Sequence, residues 1–507
     1  MRVRRLCAVA VGLGVVLAGG AASGAGPASA AGAAAPASAA GAGAVAAAAE
    51  SPSVREDFNG DGHQDLVTAA SEATISGQAR AGYVVVTYGS ATGLDTASST
   101  YISQNTAGVP GTAESEDRFG QKLVARDLDG DGLTDLAVRS SGESVSDTGS
   151  YGTVTVLWGR TGGLTGQDAA TVEAPDGSSG WQVGDDLAGG DFNGDGDADL
   201  VMLHGDDWEF RSVLSGPFTR AGVPADEQQI DMFSTDNSIS AIVSGDMTGD
   251  GIDDLATFYS WQNHAEGGKF WRGTSSGLST TSTPLASAAT AAVGDFDKDG
   301  KGDLATRTVP GGITENLPYD AGTIKIYYGT PSGPSPTRTK TVTQNTSGIP
   351  GVSEKGDQFG ARLDAGDVNG DGYADLAAGV PFEAIEAKSA AGAVVLMKGR
   401  SGGLSGTGAQ AFHQDTAGIP GVAEAGDRFG GAVHLLDVTD DARAELAVSA
   451  PEENGTGAVW SLRGTSSGLT ATGSLAFNPV DLGVPAPGAR FGSGFANENG
   501  TFLYPPD

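Results

Sequence analysis

Short runs in which apolar residues either alternate with polar ones or stand together recur along the whole chain, each closed by glycine. Gly82-Tyr83-Val84-Val85-Val86-Thr87-Tyr88-Gly89, Gly322-Thr323-Ile324-Lys325-Ile326-Tyr327-Tyr328-Gly329 and Gly392-Ala393-Val394-Val395-Leu396-Met397-Lys398-Gly399 are three copies of one such run. Runs this short, rich in Val, Ile and Tyr and bounded by turn residues, predict β-strands rather than amphipathic helices. A second type of apolar run, such as Leu136-Ala137-Val138, follows a polar loop, and a Phe-Gly pair precedes that loop by eight residues at Phe119-Gly120, Phe359-Gly360 and Phe429-Gly430. Each unit therefore predicts a strand, an acidic loop, a second strand and a glycine-bounded third strand. A small-residue turn such as Ser90-Ala91-Thr92-Gly93-Leu94 or Thr465-Ser466-Ser467-Gly468-Leu469 then leads to a more variable fourth strand.

The loops align without gaps in seven places: DFNGDGHQDL from Asp57, DLDGDGLTDL from Asp127, DFNGDGDADL from Asp191, DMTGDGIDDL from Asp246, DFDKDGKGDL from Asp295, DVNGDGYADL from Asp367 and DVTDDARAEL from Asp437. Their starts lie 49 to 72 residues apart, a period that fits a four-stranded blade. The first loop has no Phe-Gly strand before it, whereas Arg490-Phe491-Gly492-Ser493-Gly494-Phe495 has no loop after it. The missing strand of the first blade is thus expected from the C-terminus, which would leave no open sheet edge.

These repeats resemble FG-GAP repeats, the units of the integrin α-subunit N-terminal propeller and of many secreted bacterial proteins. The resemblance covers about Val54 to the C-terminus. It implies an all-β, seven-bladed β-propeller with calcium held in the loop between the first two strands of a blade. Blades three and four depart from the pattern, with short spacings, Val183-Gly184 where Phe-Gly is expected, and no such pair before Asp246.

The loop residues carry the same chemistry by themselves. In DxNxDGxxD the side chains at positions 1, 3, 5 and 9 converge because glycine at position 6 permits a sharp turn, and position 7 offers a carbonyl. Oxygen-only, multidentate ligation suits Ca2+ better than Mg2+ or zinc. Asp and Asn also close turns without metal. Three or four convergent carboxylates, however, repel one another unless a cation joins them.

Six loops are well formed: Asp57, Asn59, Asp61 and Asp65; Asp127, Asp129, Asp131 and Asp135; Asp191, Asn193, Asp195 and Asp199; Asp246, Thr248, Asp250 and Asp254; Asp295, Asp297, Asp299 and Asp303; and Asp367, Asn369, Asp371 and Asp375. The seventh, with Asp437, Thr439, Asp441 and Glu445, has Ala442 in place of the glycine and is expected to be weak or empty.

The N-terminus changes the picture of where the protein works. Arg2, Arg4 and Arg5 precede an apolar run from Leu6 to Gly20 and candidate cleavage sites such as Ala28-Ser29-Ala30. That run is shorter than the roughly 20 residues of a membrane span, so residues 1–30 read as a signal peptide and export to the extracellular space is expected. Residues 31–53, rich in Ala, Gly, Ser and Pro, read as a flexible linker, and 54–507 as the propeller. The single cysteine, Cys7, falls in the signal, so disulfides cannot stabilise the exported chain and bound metal becomes the natural substitute.

A net charge of −34 excludes nucleic acid as a natural partner. His63, His204, His264, His413 and His434 occupy unrelated repeat positions, and no nucleophile elbow or zinc-protease motif occurs. The expectation is a monomeric extracellular module binding a protein or glycan, with calcium mainly structural and no membrane span. The alternative is a propeller-based polysaccharide lyase or hydrolase with a calcium-dependent site, since propeller enzymes assemble sites from distant residues. By analogy with integrins, ligand would meet the loops between second and third strands and between blades, opposite the acidic loops. Trp208, Phe210, Trp261, Asn263 and His264 fall there in blades three and four, either as contact residues or as core. Trp158, Trp271 and Trp460, in third strands, are expected in the core. Gln104-Asn105-Thr106, Gln344-Asn345-Thr346 and Gln414-Asp415-Thr416, each leading to a Gly-Val/Ile-Pro-Gly turn, read as inter-blade connectors.

Overall fold

The computed structural model describes residues 56–144, 151–172, 186–204, 210–231 and 238–498. The predicted signal peptide and linker, Trp208 and the Val183-Gly184 pair lie outside these residues. Among the described residues there are 27 strands in seven antiparallel sheets, six of four strands and one of three. In the four-stranded sheets the strands pair in chain order, so every connection within a sheet is a hairpin. Blades three and four are regular four-stranded sheets despite their short spacing, beginning with Leu187–Gly190 and Ser238–Gly245.

The innermost strands of blades two to seven are Leu123–Arg126, Leu187–Gly190, Ser238–Gly245, Ala288–Gly294, Leu363–Gly366 and Val433–Leu436, and each lies beside the next. Blade one has three regular strands, Leu66–Ala70, Tyr83–Tyr88 and Asp95–Ile102. Along the free edge of Leu66–Ala70 runs the C-terminal segment. It is not a regular strand, but Thr68 bridges Phe495, Ala69 N–H donates to Gly494 O at 2.9 Å, and Gly492 N–H donates to Ala69 O at 2.9 Å.

The side-chain pattern explains why the strands look uniformly apolar. Both faces of a blade are covered, so successive residues point into two different interfaces. In Tyr83–Tyr88, Tyr83 and Val85 join a core with blade seven, whereas Val84, Val86 and Tyr88 join one with blade two. Among the described residues there are seven such buried clusters, one for each pair of neighbouring blades, including blades seven and one. Position 2 of every acidic loop (Phe58, Leu128, Phe192, Met247, Phe296, Val368 and Val438) and position 10 (Leu66, Leu136, Leu200, Leu255, Leu304, Leu376 and Leu446) are fully buried in them. Each contributes about 1.5–3 kcal/mol of burial.

The Phe-Gly pair acts as a latch between blades. Phe119, Phe359 and Phe429 donate their backbone N–H to Ala81, Ala321 and Ala391 of the preceding blade at 2.9–3.0 Å. The next residues, Gly82, Gly322 and Gly392, press on the same phenylalanine backbones so closely that a Cβ would lie 2.4 Å or less from the Phe carbonyl oxygen. Phe491 repeats this at the seam, donating to Thr456 O at 2.8 Å while Gly457 packs on its backbone.

At the axis the innermost strands enclose a cavity of about 280 Å3. Its polar wall is one network. His434 Nδ1 lies 2.8 Å from Asp364 Oδ2 and Nε2 lies 2.9 Å from Glu56 Oε2. Asn497 Nδ2 donates to Glu56 Oε1 at 2.6 Å, and Arg126 donates to Asn497 Oδ1 and to Gly189 O. The network ties the residue before the first loop to blades two, three, six and seven and to the C-terminal segment.

Burial alone would depress the His434 pKa, but Glu56 and Asp364 outweigh it and hold the imidazolium well above its ordinary range. A raised histidine stabilises fully below its unfolded pKa of about 6.5 and loses that contribution as pH rises through the folded value. His434→Gln is therefore expected to cost about 3–5 kcal/mol near pH 6, and the gap to the parent in chemical denaturation should close as pH rises. A gap independent of pH would show that the ring is neutral.

Candidate functional site

In blades two to seven the acidic loop leaves the end of the innermost strand, and in blade one, whose inner edge is the C-terminal segment, it leads into Leu66–Ala70. In each, the first-position aspartate turns its carboxylate inward onto the loop's own backbone. Asp57 Oδ1 accepts N–H from Gly60 at 2.7 Å and Asp61 at 3.2 Å, and Oδ2 accepts Gly62 N–H at 2.9 Å. Asp127, Asp191, Asp246 and Asp367 repeat that set, with Oδ2 bonds of 2.7–3.0 Å. The turn is tighter than a single glycine implies, since positions 4 and 6 are both left-handed throughout. Gly60 and Gly62 have φ of 76° and 92°, and in loop five Lys298 takes position 4 at φ 59°. In loop seven Asp440 and Ala442 adopt φ 54° and 62°, so the turn survives without its glycine.

The position 9 acid is a brace as well as a candidate ligand. Asp65 Oδ2 accepts Phe58 N–H at 2.9 Å, and Oδ1 accepts the N–H of Gly89, the glycine that closes the third strand, also at 2.9 Å. The same pair of bonds recurs from Asp135 to Gly159, Asp199 to Gly216, Asp254 to Gly273, Asp303 to Gly329, Asp375 to Gly399 and Glu445 to Gly464. The acid's extra methylene in loop seven stretches that last bond to 3.4 Å. These glycines are the element that reading the loop alone misses. The signal was the glycine ending every third strand, at a point where a Cβ would lie 2.2–2.7 Å from the position 8 carbonyl oxygen.

The loops are also joined to one another. The first-position carbonyl of one loop accepts the position 8 N–H of the next: Thr134 on Asp57 at 3.1 Å, Asp253 on Asp191 at 2.8 Å, Gly302 on Asp246 at 2.7 Å, Ala374 on Asp295 at 3.0 Å and Ala444 on Asp367 at 2.8 Å. Gln64 on Asp437 at 3.3 Å carries the chain across the seam. Loop two meets blade three through Phe218, just after that blade's third strand, whose N–H donates to Leu128 O at 2.6 Å.

Charge is concentrated accordingly. Burial, reinforced by the other loop aspartates, lifts Asp65 and Asp135 to about 8, and Asp199, Asp254, Asp303, Asp375 and Glu445 to about 7. Two N–H bonds only partly offset this. A carboxyl so placed holds either a proton or a neighbouring cation. In loops two and five, where position 3 is aspartate, Asp127, Asp129 and Asp135, and Asp295, Asp297 and Asp303, bring one oxygen each within 4.8 Å of one another and could hold a metal ion. In loops one, three, four and six position 3 is Asn59, Asn193, Thr248 or Asn369, which supplies a neutral oxygen instead. Guanidinium groups share the outer carboxylates in several loops: Arg220 on Asp129 and Asp131 at 2.7 and 2.6 Å, Arg272 on Asp250 at 2.7 Å, and Arg338 on Asp297 and Asp299. These arginines are 39–50% exposed, so each pair is worth little by itself.

Seven antiparallel blades around an axis, six of four strands and one of three completed by the C-terminal segment, each with an acidic turn, define a seven-bladed β-propeller. The FG-GAP repeat model matches residues 48–87, 119–157 and 359–397, so these stretches of the chain are FG-GAP repeats. It is 32% identical over 149 residues to mouse phosphatidylinositol-glycan-specific phospholipase D, covering 29% of this chain and 17% of that protein. It is also 36% identical over 83 residues to integrin alpha-3 of Cricetulus griseus, covering 16% of this chain and 7% of that one. The chain thus spans under a fifth of the length of these relatives. Among solved structures, the Dos1 propeller aligns over 78% of both chains at 12% identity with a TM-score of 0.38.

The left-handed Ala442 is the place to test the loop geometry. A left-handed alanine costs about 1–2 kcal/mol, so Ala442→Gly is expected to stabilise the protein by roughly that amount in chemical denaturation. Gly372→Ala, at the same position of loop six with φ 80°, is expected to destabilise it similarly.

Proposed function

We propose that this protein is a secreted, calcium-loaded propeller that serves as an extracellular binding module for a protein or glycan, with calcium chiefly structural. The head-to-tail bonding of the acidic loops is the observation that carries this reading. An ion holding the carboxylates of one loop also fixes the carbonyl on which the next loop hangs, so six ions would stiffen a whole face of the ring. Asp57, Asn59, Asp61 and Asp65, and their counterparts in loops two to six, are the ligands in this reading. Loop seven retains Asp437, Thr439, Asp441 and Glu445 in the same turn and is the weakest site.

The opposite face is then left for ligand. Its connections carry exposed aromatic groups in blades four and five. Trp261 is 43% exposed at a hairpin tip, and Tyr319 is 47% exposed in the connection between second and third strands. The two blades are joined there by Thr314 N–H on Asn263 O at 2.8 Å, by the Asn263 amide on Glu315, and by a bridge between His264 and Ile313. Among the described tryptophans, Trp158, Trp271 and Trp460 are buried and Trp261 is exposed, free to stack on a sugar or anchor a peptide.

Thermal unfolding in millimolar calcium, in chelator and in magnesium tests the proposal. A calcium-specific rise in Tm of ten degrees or more is expected, because binding to the folded state alone stabilises it by mass action. Equal Tm values in calcium and chelator would remove the structural role of the ion.

A further inference from the structure

Three segments read from sequence as plain connectors are built alike in every detail. In each, the threonine hydroxyl accepts a backbone N–H three residues back: Ser103 on Thr106, Thr343 on Thr346 and His413 on Thr416, all at 3.0 Å. The next side chain, Asn105, Asn345 or Asp415, accepts the N–H of Ala113, Ser353 or Ala423 at 3.0–3.2 Å. The glutamine does something else. It reaches 39 residues along the chain to a glutamate at the far end of the second strand or three residues past it: Gln104 to Glu143, Gln344 to Glu383 at 2.7 Å and Gln414 to Glu453 at 2.6 Å.

Beside each glutamate lies a buried aspartate. Asp117, Asp357 and Asp427 are 4% exposed or less, and each has one carboxylate oxygen on the N–H of Glu114, Glu354 or Glu424. Two carboxylates in each copy are therefore withdrawn from water with few donors. Burial and mutual repulsion lift Glu143, Asp357 and Glu453 to about 7. The glycine of each Gly-Val/Ile-Pro-Gly turn is left-handed at Gly111, Gly351 and Gly421. A Cβ at Gly111 would lie 3.1 Å from Gln104 Nε2 and 3.2 Å from Glu143 Oε1, so the turn roofs the cluster.

A second, independent feature points to a ligand. Gln104, Gln344 and Gln414 are 4, 3 and 1% exposed, and in all three the amide oxygen is buried with no hydrogen-bond partner. A buried acceptor without a donor costs about 1–3 kcal/mol, and the same orphan occurs three times within a head group already placed against the glutamate. A proton shared between the two acids would relieve their repulsion but leave that oxygen unsatisfied. A hard cation relieves both once the glutamine amide turns over, so that its oxygen rather than its nitrogen faces the glutamate and the ion takes carboxylate and amide oxygens together, keeping its remaining waters. Glu143, Glu383 and Glu453 are only partly buried, which leaves an entry.

We propose that Gln104, Asp117 and Glu143, Gln344, Asp357 and Glu383, and Gln414, Asp427 and Glu453 are three copies of a second calcium site, on the face away from the acidic loops. Each copy spans a blade junction, between blades one and two, five and six, and six and seven. It goes beyond the loop sites and does not depend on them.

Counting calcium bound to the full chain by equilibrium dialysis at neutral pH tests it. Glu143→Gln, Glu383→Gln and Glu453→Gln are each expected to lose one ion, and the triple variant three, with the loop ions retained. Equal counts in parent and triple variant overturn the proposal and identify the acids as proton-sharing pairs. Asp127→Asn with Asp135→Asn loses an ion if the acidic loops bind calcium, whatever happens at the second sites, so the two readings fail separately. Should the triple variant not fold, Glu453→Gln alone is read by terbium emission. The Trp460 indole lies 3.7 Å from where a Gly421 Cβ would stand, so emission excited through Trp460 is expected to fall in Glu453→Gln as in Trp460→Phe. Undiminished emission in Glu453→Gln overturns the proposal.

Discussion

The structure depends on one backbone hydrogen bond repeated at six of the seven junctions around the ring, from the eighth residue of an acidic loop to the first carbonyl of the loop before it. Its worth taken singly is about 1 kcal/mol. Its effect comes from where it sits. The acceptor belongs to the residue whose carboxylate organises its own loop, and the donor stands next to the acid that braces the third strand. Loop conformation, strand spacing within a blade and rotation between blades are thereby set by the same few atoms. The Phe-Gly latch performs the matching task at the other end of the blade, where a phenylalanine backbone fills the space a side chain would need.

This arrangement explains how the fold tolerates irregular blades. Blade four has no Phe-Gly pair before its loop, yet Asp253 and Gly302 make the loop-to-loop bonds on its two sides. Where the latch is missing, the chain of loops carries the register. Loop two bonds to Phe218, beyond the third strand of blade three, and Arg126 from blade two crosses to Gly189 O of blade three at 2.9 Å and supplies a side-chain link at the axis. The blades are interchangeable in outline and individual in how they are fastened.

Much of this was legible in the chain. Seven gapless acidic loops, six of them ending DGxxDL, and three Phe-Gly pairs define the repeat, and the apolar runs between glycines are the strands observed. What stayed hidden had a common cause: it lies between repeats rather than within one. The seam was visible as an unmatched Phe491-Gly492, but its lock through Glu56, His434, Asp364 and Asn497 joins residues up to 441 positions apart that share no motif. The reach of Gln104 to Glu143 was invisible for the same reason, since the glutamine reads as part of a linker and the glutamate as a surface acid. Loop seven shows the opposite limit. Its alanine looks like a broken turn, yet neighbours hold the backbone left-handed all the same.

The seam has a consequence for how the molecule comes into being. Asn497 and the Phe491–Phe495 stretch supply partners to Glu56, Leu66–Ala70 and the innermost strand of blade two, and they are among the last described residues to leave the ribosome. Until they arrive, blade one has an uncovered edge, and the arc of blades has a gap where the seventh core should be. Local hairpins within each blade form quickly, but the final step closes a loop spanning most of the chain, which makes it the slow one. The finished ring is thus an all-or-none object, in which the last few residues decide whether several hundred earlier ones are a closed body or an open ribbon with a sticky end.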